Sequence, residues 1–412
     1  MMSGTDRRAR TALAILLAAT LVTTSATARA QDQLNIDFFQ GPLVSSGRVV
    51  GMGGAFVSVA EGADAHLVNP ASLAIRYPYA ADEWFDWDYA ISFRSDSFKE
   101  GSIDLDRSGR AGGYDRSLLF QLGVNIKLGR LGIGVHAQGQ TYELDAEFVD
   151  RTKTYRYAQT VFGLGVGYAF LDGDLTAGVF APVVRSQVTD PDTGTVTLEE
   201  SDIVVGAVFA PHGKQYRFGG AFRGEAIGRI TTGSNEDQTG FVDDAGTLGA
   251  LRVPNGVVIP WELSAGFSWM FGPRDYNPLP SFGEWTYLGL ERPDRLRERK
   301  YLLLSADIVL TGPSKDSIGV QAWLQNEVQQ SGKQASFSPR VGAEAEIWKD
   351  VLVVRTGSYY EPSRFEATSG RVHATAGFDL FLLDLLWQWK GNFVLDVADD
   401  YVNWGVGVGF WH

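Results

Sequence analysis

The residues able to hold a metal or run acid–base chemistry are few. Five histidines, His66, His136, His212, His373 and His412, are scattered so that no two share a metal-binding spacing, and no His-Glu-x-x-His motif occurs. Cysteine is absent, which removes thiolate metal sites, disulfides and thiol catalysis together. Asp190-Pro191-Asp192-Thr193-Gly194 starts like a calcium loop, but Gly194 stands where an oxygen side chain is needed. Gly51-x-Gly53-Gly54 lacks the following Lys-Ser/Thr of a nucleotide loop, and no Gly-x-Ser-x-Gly elbow presents a nucleophile. The expectation is a protein with no catalytic residues, no metal and no cofactor. The remaining charged residues then need another use. Glu262, Glu344 and Glu346 alternate on strand-like segments with Arg340 and Arg355 nearby, which reads as a charge-paired wall lining an interior.

The segments carrying these residues have a period of two. Phe120, Leu122, Val124, Ile126 and Leu128 alternate with Gln121, Gly123, Asn125 and Lys127. Leu131, Ile133, Val135 and Ala137 alternate with Gly132, Gly134, His136 and Gln138. The same holds for Trp261–Phe271, Arg340–Ile347 and Val402–Phe410. Each strand so written has one apolar face and one polar or glycine face. A soluble sandwich could not build a dry core from the second face. Aromatic residues gather at strand ends (Trp84, Phe85, Trp87; Trp261, Trp269, Phe271; Trp404, Phe410, Trp411), as interfacial girdles do.

Link lengths also alternate. Tight links are expected near Gly129-Arg130, 171–174, 211–214, 348–350 and Leu383-Asp384. Long polar ones are expected at 98–114, 147–154, 188–200, 229–256, 312–334, 362–370 and 396–401. Short inner turns with long outer loops are the pattern of an outer-membrane barrel. The count predicts an all-β, transmembrane antiparallel barrel of about 14 strands over residues 84–412. Residues 272–300 break the rule, being long on the short-turn side; they are either a periplasmic excursion or a sign that the count is off by two.

Composition agrees. A mean hydropathy of −0.08 with 48 glycines in 412 residues suits strands that meet lipid on one face only. The net charge of −13 argues against nucleic acid as a partner. Residues 1–30 read as a signal peptide: Arg7, Arg8 and Arg10, an apolar run from Ala12 to Val22, then Ala28-Arg29-Ala30 before Gln31. Eleven apolar residues are too few to span a bilayer as a helix, which needs about 20. The expected location is the cell outer membrane, with its lipid and lipopolysaccharide as surroundings.

Residues 31–83 do not follow the strand pattern. They contain Gly51-Met52-Gly53-Gly54-Ala55-Phe56 and then Asn69-Pro70-Ala71-Ser72-Leu73-Ala74. This pairing resembles the N-terminus of the FadL superfamily of outer-membrane proteins, with Met-Gly-Gly-Ala closer to its PorV/PorQ-type branch than to the FadL/TodX-type transporters. Ser72 stands where the family usually has glycine. The resemblance implies a 14-stranded barrel with an N-terminal lumenal hatch over 31–83. Asn69, Pro70 and Ala71 would belong to the hatch, and Gly51, Gly53 and Gly54 to the turn before it. It further implies transport of a small hydrophobic molecule, fatty-acid-like or aromatic; the alternatives are a PorV-like partner of a protein secretion system or a structural barrel. No substrate-contacting residue is carried over.

Overall fold

The computed structural model describes residues 35–37, 43–77, 80, 83–95, 104, 107–109, 114–147, 152–190, 192, 194–230, 247–248, 251–252, 256–279, 300–314, 316–324 and 328–410. The expected signal peptide lies outside them, as does most of 229–256.

Strand β1 is Asn35–Asp37. The wall begins with β2 (Phe85–Ser95), β3 (Tyr114–Leu128), β4 (Leu131–Glu147), β5 (Thr152–Phe170) and β6 (Leu175–Asp190). Next come β7 (Gly194–Ser201), β8 (Val204–Phe209), β9 (Tyr216–Arg223) and β10 (Ala226–Ile230). After a small hairpin of β11 (Thr247–Leu248) and β12 (Leu251–Arg252), the wall resumes with β13 (Gly256–Ile259), β14 (Glu262–Phe271) and β15 (Leu302–Thr311). A short pair, β16 (Ser317–Gly319) and β17 (Gln330–Ser331), precedes β18 (Ser336–Trp348), β19 (Leu352–Glu361), β20 (Arg371–Leu385), β21 (Trp387–Ala398) and β22 (Tyr401–Phe410).

Neighbouring wall strands pair antiparallel, and β22 returns to β2 with Val408 opposite Ile91, so the sheet closes. Three of its staves are made of two pieces: β7 with β8, β9 with β10, and β13 with β14. Counted so, the wall has 14 staves, so the length of 272–300 does not mark a miscount; residues 280–299 lie outside the described residues. Closure matters because in lipid an open edge would leave backbone groups without partners.

The two-residue period sorts the side chains. Phe93, Ile126, Ile133, Leu164, Phe267, Ile308, Val341, Phe378 and Val406 are exposed on the outside. Apolar exposure right around a molecule is what lipid contact requires, since water would penalise it. Gln121, Asn125, Lys127, His136, Glu344, Arg355, His373 and Asp379 are buried on the inward face.

The three breaks lie at one level. Pro182 in β6 sits opposite the gap between β7 and β8, where Asp202 N donates to its carbonyl at 3.0 Å, and Pro260 lies in the gap between β13 and β14. Proline brings no N–H, so the ladder is interrupted where these two stand.

Several links differ from the sequence expectation. The stretches 147–154, 188–200 and 396–401 are not long loops: β4 ends at Glu147 and β5 starts at Thr152, β6 and β7 join through 191–193, and β21 and β22 turn at 399–400. The strands run on past the roughly 9–11 residues that cross a bilayer, and their polar outer ends still pair. The turn placed at Leu383-Asp384 occurs at Leu386, which takes a φ of +63° after a bulge between Phe381 and Leu383.

Candidate functional site: a lumenal cavity beside the N-terminal segment

Residues 43–77 pack against the inward face of the wall. Ser46 caps a five-residue helix, Gly47–Gly51, and Asn69 caps the turn Pro70–Leu73 by accepting from Ala71 N at 3.0 Å. Pro70 occupies the first position of that turn, where no N–H is needed. Asn69 also donates to the carbonyls of Val57, Ala207 and Gly220, at 2.8, 3.2 and 3.4 Å, tying the turn to β8 and β9.

The glycines explain how closely the segment lies. Gly53 has a φ of +60°, and a Cβ there would fall 2.6 Å from Ser358 N of β19. Gly54 follows at +73°. Gly51 approaches Arg355, and Thr375 of β20 donates to its carbonyl at 3.1 Å. On the wall side, a Cβ at Gly132 would stand 1.8 Å from Leu73 O, and one at Gly342 2.3 Å from Met52 O. The six residues singled out from the sequence thus form two groups. Gly51, Gly53 and Gly54 lie against β18–β20, and Asn69, Pro70 and Ala71 against β6, β8 and β9.

Charge fixes the segment between them. Arg48 reaches Glu344 with Nε to Oε2 and Nη2 to Oε1, both 2.8 Å, and Glu61 at 3.1 Å. Arg217 of β9 holds the other oxygen of Glu61 at 2.9 Å. Burial alone would raise the Glu61 carboxyl, but Arg217 and Arg48 outweigh it and keep it below its ordinary range. Beneath this, Val49, Met52, Phe56, Val59 and Ala65 form one apolar cluster with Met270, Leu303 and Tyr276. Tyr276 belongs to the 272–300 link, and Arg217 binds its carbonyl at 2.9 Å while lying 3.8 Å over its ring.

A cavity of about 200 Å³ remains between segment and wall. Leu43, Val44, Val49, Val57, Leu67 and Val68 give it an apolar floor from the segment. Val161, Pro182, Val184, Ile259, Pro260 and Val309 supply apolar wall, at the level of the strand breaks. One polar side consists of Asp202, Arg223, Glu262 and Arg340, the other of Gln138, Gln140 and Gln159.

The charged side departs from the expected pairing. Glu344 does pair with Arg355, but Glu262 pairs with Arg223 at 3.3 Å, and Arg340 makes no ion pair among the described residues. Asp307 faces it across β15–β18, yet spends Oδ2 on Val57 N at 2.7 Å. Arg340 therefore presents a half-buried guanidinium to the cavity. The histidines do not converge on a metal: among the described residues no group of three or more potential ligands occurs. His373 is bound by Asp396 and Glu361 at 2.8 and 2.6 Å, while His66 and His136 lie edge to face, 6.1 Å apart.

Comparison with solved structures matches this architecture. A Pseudomonas aeruginosa FadL homologue superposes with a TM-score of 0.54 at 11% identity, over 89% of this chain and 98% of its own. The chain has the fold of the FadL-type transporters. The CymD monoaromatic hydrocarbon channel (0.53, 11% identity, 91% and 99%) and the Pseudomonas putida toluene transporter TodX (0.53, 10%, 92% and 100%) superpose equally well. No family model and no curated protein matches the sequence. A FadL-like barrel with an apolar exterior is an outer-membrane architecture.

Sequence reasoning missed Pro182, Pro260 and the glutamine side. A proline inside an otherwise alternating strand was the available signal for the first two.

Proposed function

We propose that this FadL-like barrel is an outer-membrane channel for small hydrophobic molecules that carry a polar or acidic end, with residues 31–83 acting as its hatch. The cavity is the observation that carries this. It is an apolar chamber flanked by a few polar groups, the usual make-up of a small-molecule site. It lies directly against the segment whose movement would open the lumen. The relatives by fold, named as channels or transporters of monoaromatic hydrocarbons and toluene, support the transport class. Arg340 supports an acidic end, because its guanidinium makes no ion pair at contact distance among the described residues and a carboxylate is the partner that suits it.

Uptake into proteoliposomes of octanoate and benzoate is the direct test. Val57→Trp fills the cavity from the floor and should abolish uptake while leaving a heat-modifiable barrel. Arg340→Gln should weaken uptake of the acids more than that of toluene. Unchanged uptake in a folded Val57→Trp barrel would show that the path lies elsewhere.

A further inference from the structure

A second, smaller chamber of about 30 Å³ lies at the short-turn end of the barrel. The N-terminal segment gives it Arg48 and Glu61, and the link between β14 and β15 gives it Arg274 and Tyr301. That link is fastened to the neighbouring turn: Gly213 N donates to the Asn277 carbonyl at 2.9 Å, and Gln215 Nε2 to that of Arg274 at 3.0 Å. Val49 lines the larger cavity and its neighbour Arg48 lines the smaller, so one layer of the segment separates the two.

The described lining of the small chamber carries four cations, Arg48, Arg274, Arg355 and Lys390, against three carboxylates, Glu61, Glu344 and Asp379. The carboxylates are fully used. Glu61 divides its oxygens between Arg48 and Arg217. Glu344 accepts from Arg48, Arg355 and Tyr301, and Asp379 from Arg355 and Lys390. Arg274 is left over. It is 6% exposed, and among the described residues its side chain makes no hydrogen bond and no ion pair; its guanidinium lies 4.8 Å over the Tyr301 ring. Glu61 acts on it only through space. Arg340 Nε is enclosed, whereas no nitrogen of Arg274 is sealed from its chamber.

A buried guanidinium without a bonded anion is costly, and an anion that arrives from outside removes the cost. A single water needs about 10–15 Å³, so the chamber has room for a carboxylate group but not for the body of an apolar acid. The body stays in the larger cavity until the segment moves. A carboxylate passing the segment leaves Arg340 behind, and without a second cation it would cross that layer uncompensated.

We infer that Arg274 is a second anion site, on the periplasmic side of the hatch, which receives the carboxylate that Arg340 holds first. This rests on the acid-transport reading above. Arg340 then sets the affinity for an acid, and Arg274 sets the rate at which a bound acid passes the segment.

The test follows octanoate and toluene into proteoliposomes carrying the full-length barrel, with octanoate affinity measured by titration calorimetry in amphipol. Arg274→Gln should slow saturated octanoate uptake by about fivefold or more, with octanoate affinity and toluene uptake at their wild-type values. Arg274→Lys, which keeps the charge, should restore most of that rate. In the wild type, acetate should slow octanoate uptake even at saturating octanoate, where competition for Arg340 has been overcome. A wild-type octanoate rate in Arg274→Gln, with or without a loss of affinity, would overturn the inference. So would an equal loss of toluene uptake, which would give Arg274 a structural role only. Where neither variant folds, saturated uptake indifferent to acetate overturns it. Wild-type uptake of toluene without octanoate would end the acidic-end reading, and the inference with it, and leave a hydrocarbon channel. Uptake of neither would end the transport reading itself.

Discussion

Arg48 and Glu344 are 296 residues apart in sequence and meet through two parallel 2.8 Å contacts, both side chains buried. One end of this pair is in the N-terminal helix and the other is in β18. It bonds the proposed hatch to the wall through a buried, bidentate ion pair. Glu344 is also held by Arg355 and by Tyr301 Oη at 2.7 Å, so the wall keeps its order if the hatch leaves.

Arg48→Met removes the hatch side of this lock. Removing one partner of a buried ion pair costs on the order of 3–5 kcal/mol. Arg355 and Tyr301 still satisfy Glu344, so the lower end applies. The expected outcome is a barrel that remains heat-modifiable but conducts in planar bilayers, with faster hydrogen exchange over residues 43–77. Conductance and exchange both at the wild-type level would mean that Arg48 does not hold the segment in place.

The barrel was legible because its period of two is a local property: each strand writes its lipid face in apolar residues, and closure follows from the number of strands. Loop lengths were less legible. Strand ends such as 142–147 and 152–157 still pair, yet they are rich in Glu, Asp, Thr, Lys and Arg, so their composition resembles that of a loop. At the site, the glycines could be singled out from their wording, but their reason could not. Gly53 and Gly132 are glycine because backbone from distant parts of the chain touches them. The partners of Arg340 were misjudged on the same ground. Asp307, opposite Arg340 on β15, turns one oxygen to Val57 N, a contact made only when the N-terminal segment is seated.

Gly132 tests the seating from the wall. A Cβ at that position would overlap the carbonyl of Leu73, and backbone cannot step aside as a flexible side chain can. Gly132→Val adds bulk on the inward face only, and valine suits a strand. The barrel should assemble, while the turn Pro70–Leu73 is pushed off β4. Protease sensitivity within 66–77 in folded barrels is the readout; a resistant segment would show that the wall yields instead.

His66 makes the seating pH-dependent. Burial, reinforced by the neighbouring His136, pushes the His66 imidazole down to about 3, against about 6.5 when it is solvated. The seated state therefore binds fewer protons than the released one between those values, and seating weakens as pH falls through that window. Glu61, held low by its arginines, acts in the same direction, whereas Asp64, raised by burial, opposes it. Channel openings should become more frequent from pH 7 to pH 4.5, by up to about tenfold per pH unit from one such group. His66→Gln should flatten that slope without abolishing it. A slope identical in His66→Gln and wild type would assign the pH response to other groups.

The last prediction concerns β1, which is parallel to β13 on one side and to β16 on the other. It fills the space where the β14–β15 ladder stops at Glu262 and Thr311 and the chain above it diverges. Three residues of strand are too few to hold such a place through backbone bonds alone. The anchor is Asp37, which accepts from Arg364 Nε at 2.7 Å and from the hydroxyls of Ser314 and Ser331 at 3.1 Å each. Arg364 in turn donates to the Gly312 carbonyl at 2.9 Å. One buried carboxylate thus joins β1 to two links, 312–334 and 362–370. Asp37→Ala leaves the Arg364 guanidinium without its counter-ion, and the simplest relief is for β1 to withdraw and admit water. Hydrogen exchange at 35–37 and 256–258 should rise together, since the two strands share bonds, while exchange in β20–β22 stays unchanged. Because β13 runs into the cavity through Ile259 and Pro260, ligand dissociation should also quicken in this variant. If exchange rises at 35–37 alone, β13 is held by β10 without help, and β1 is an ornament of the rim rather than part of the wall.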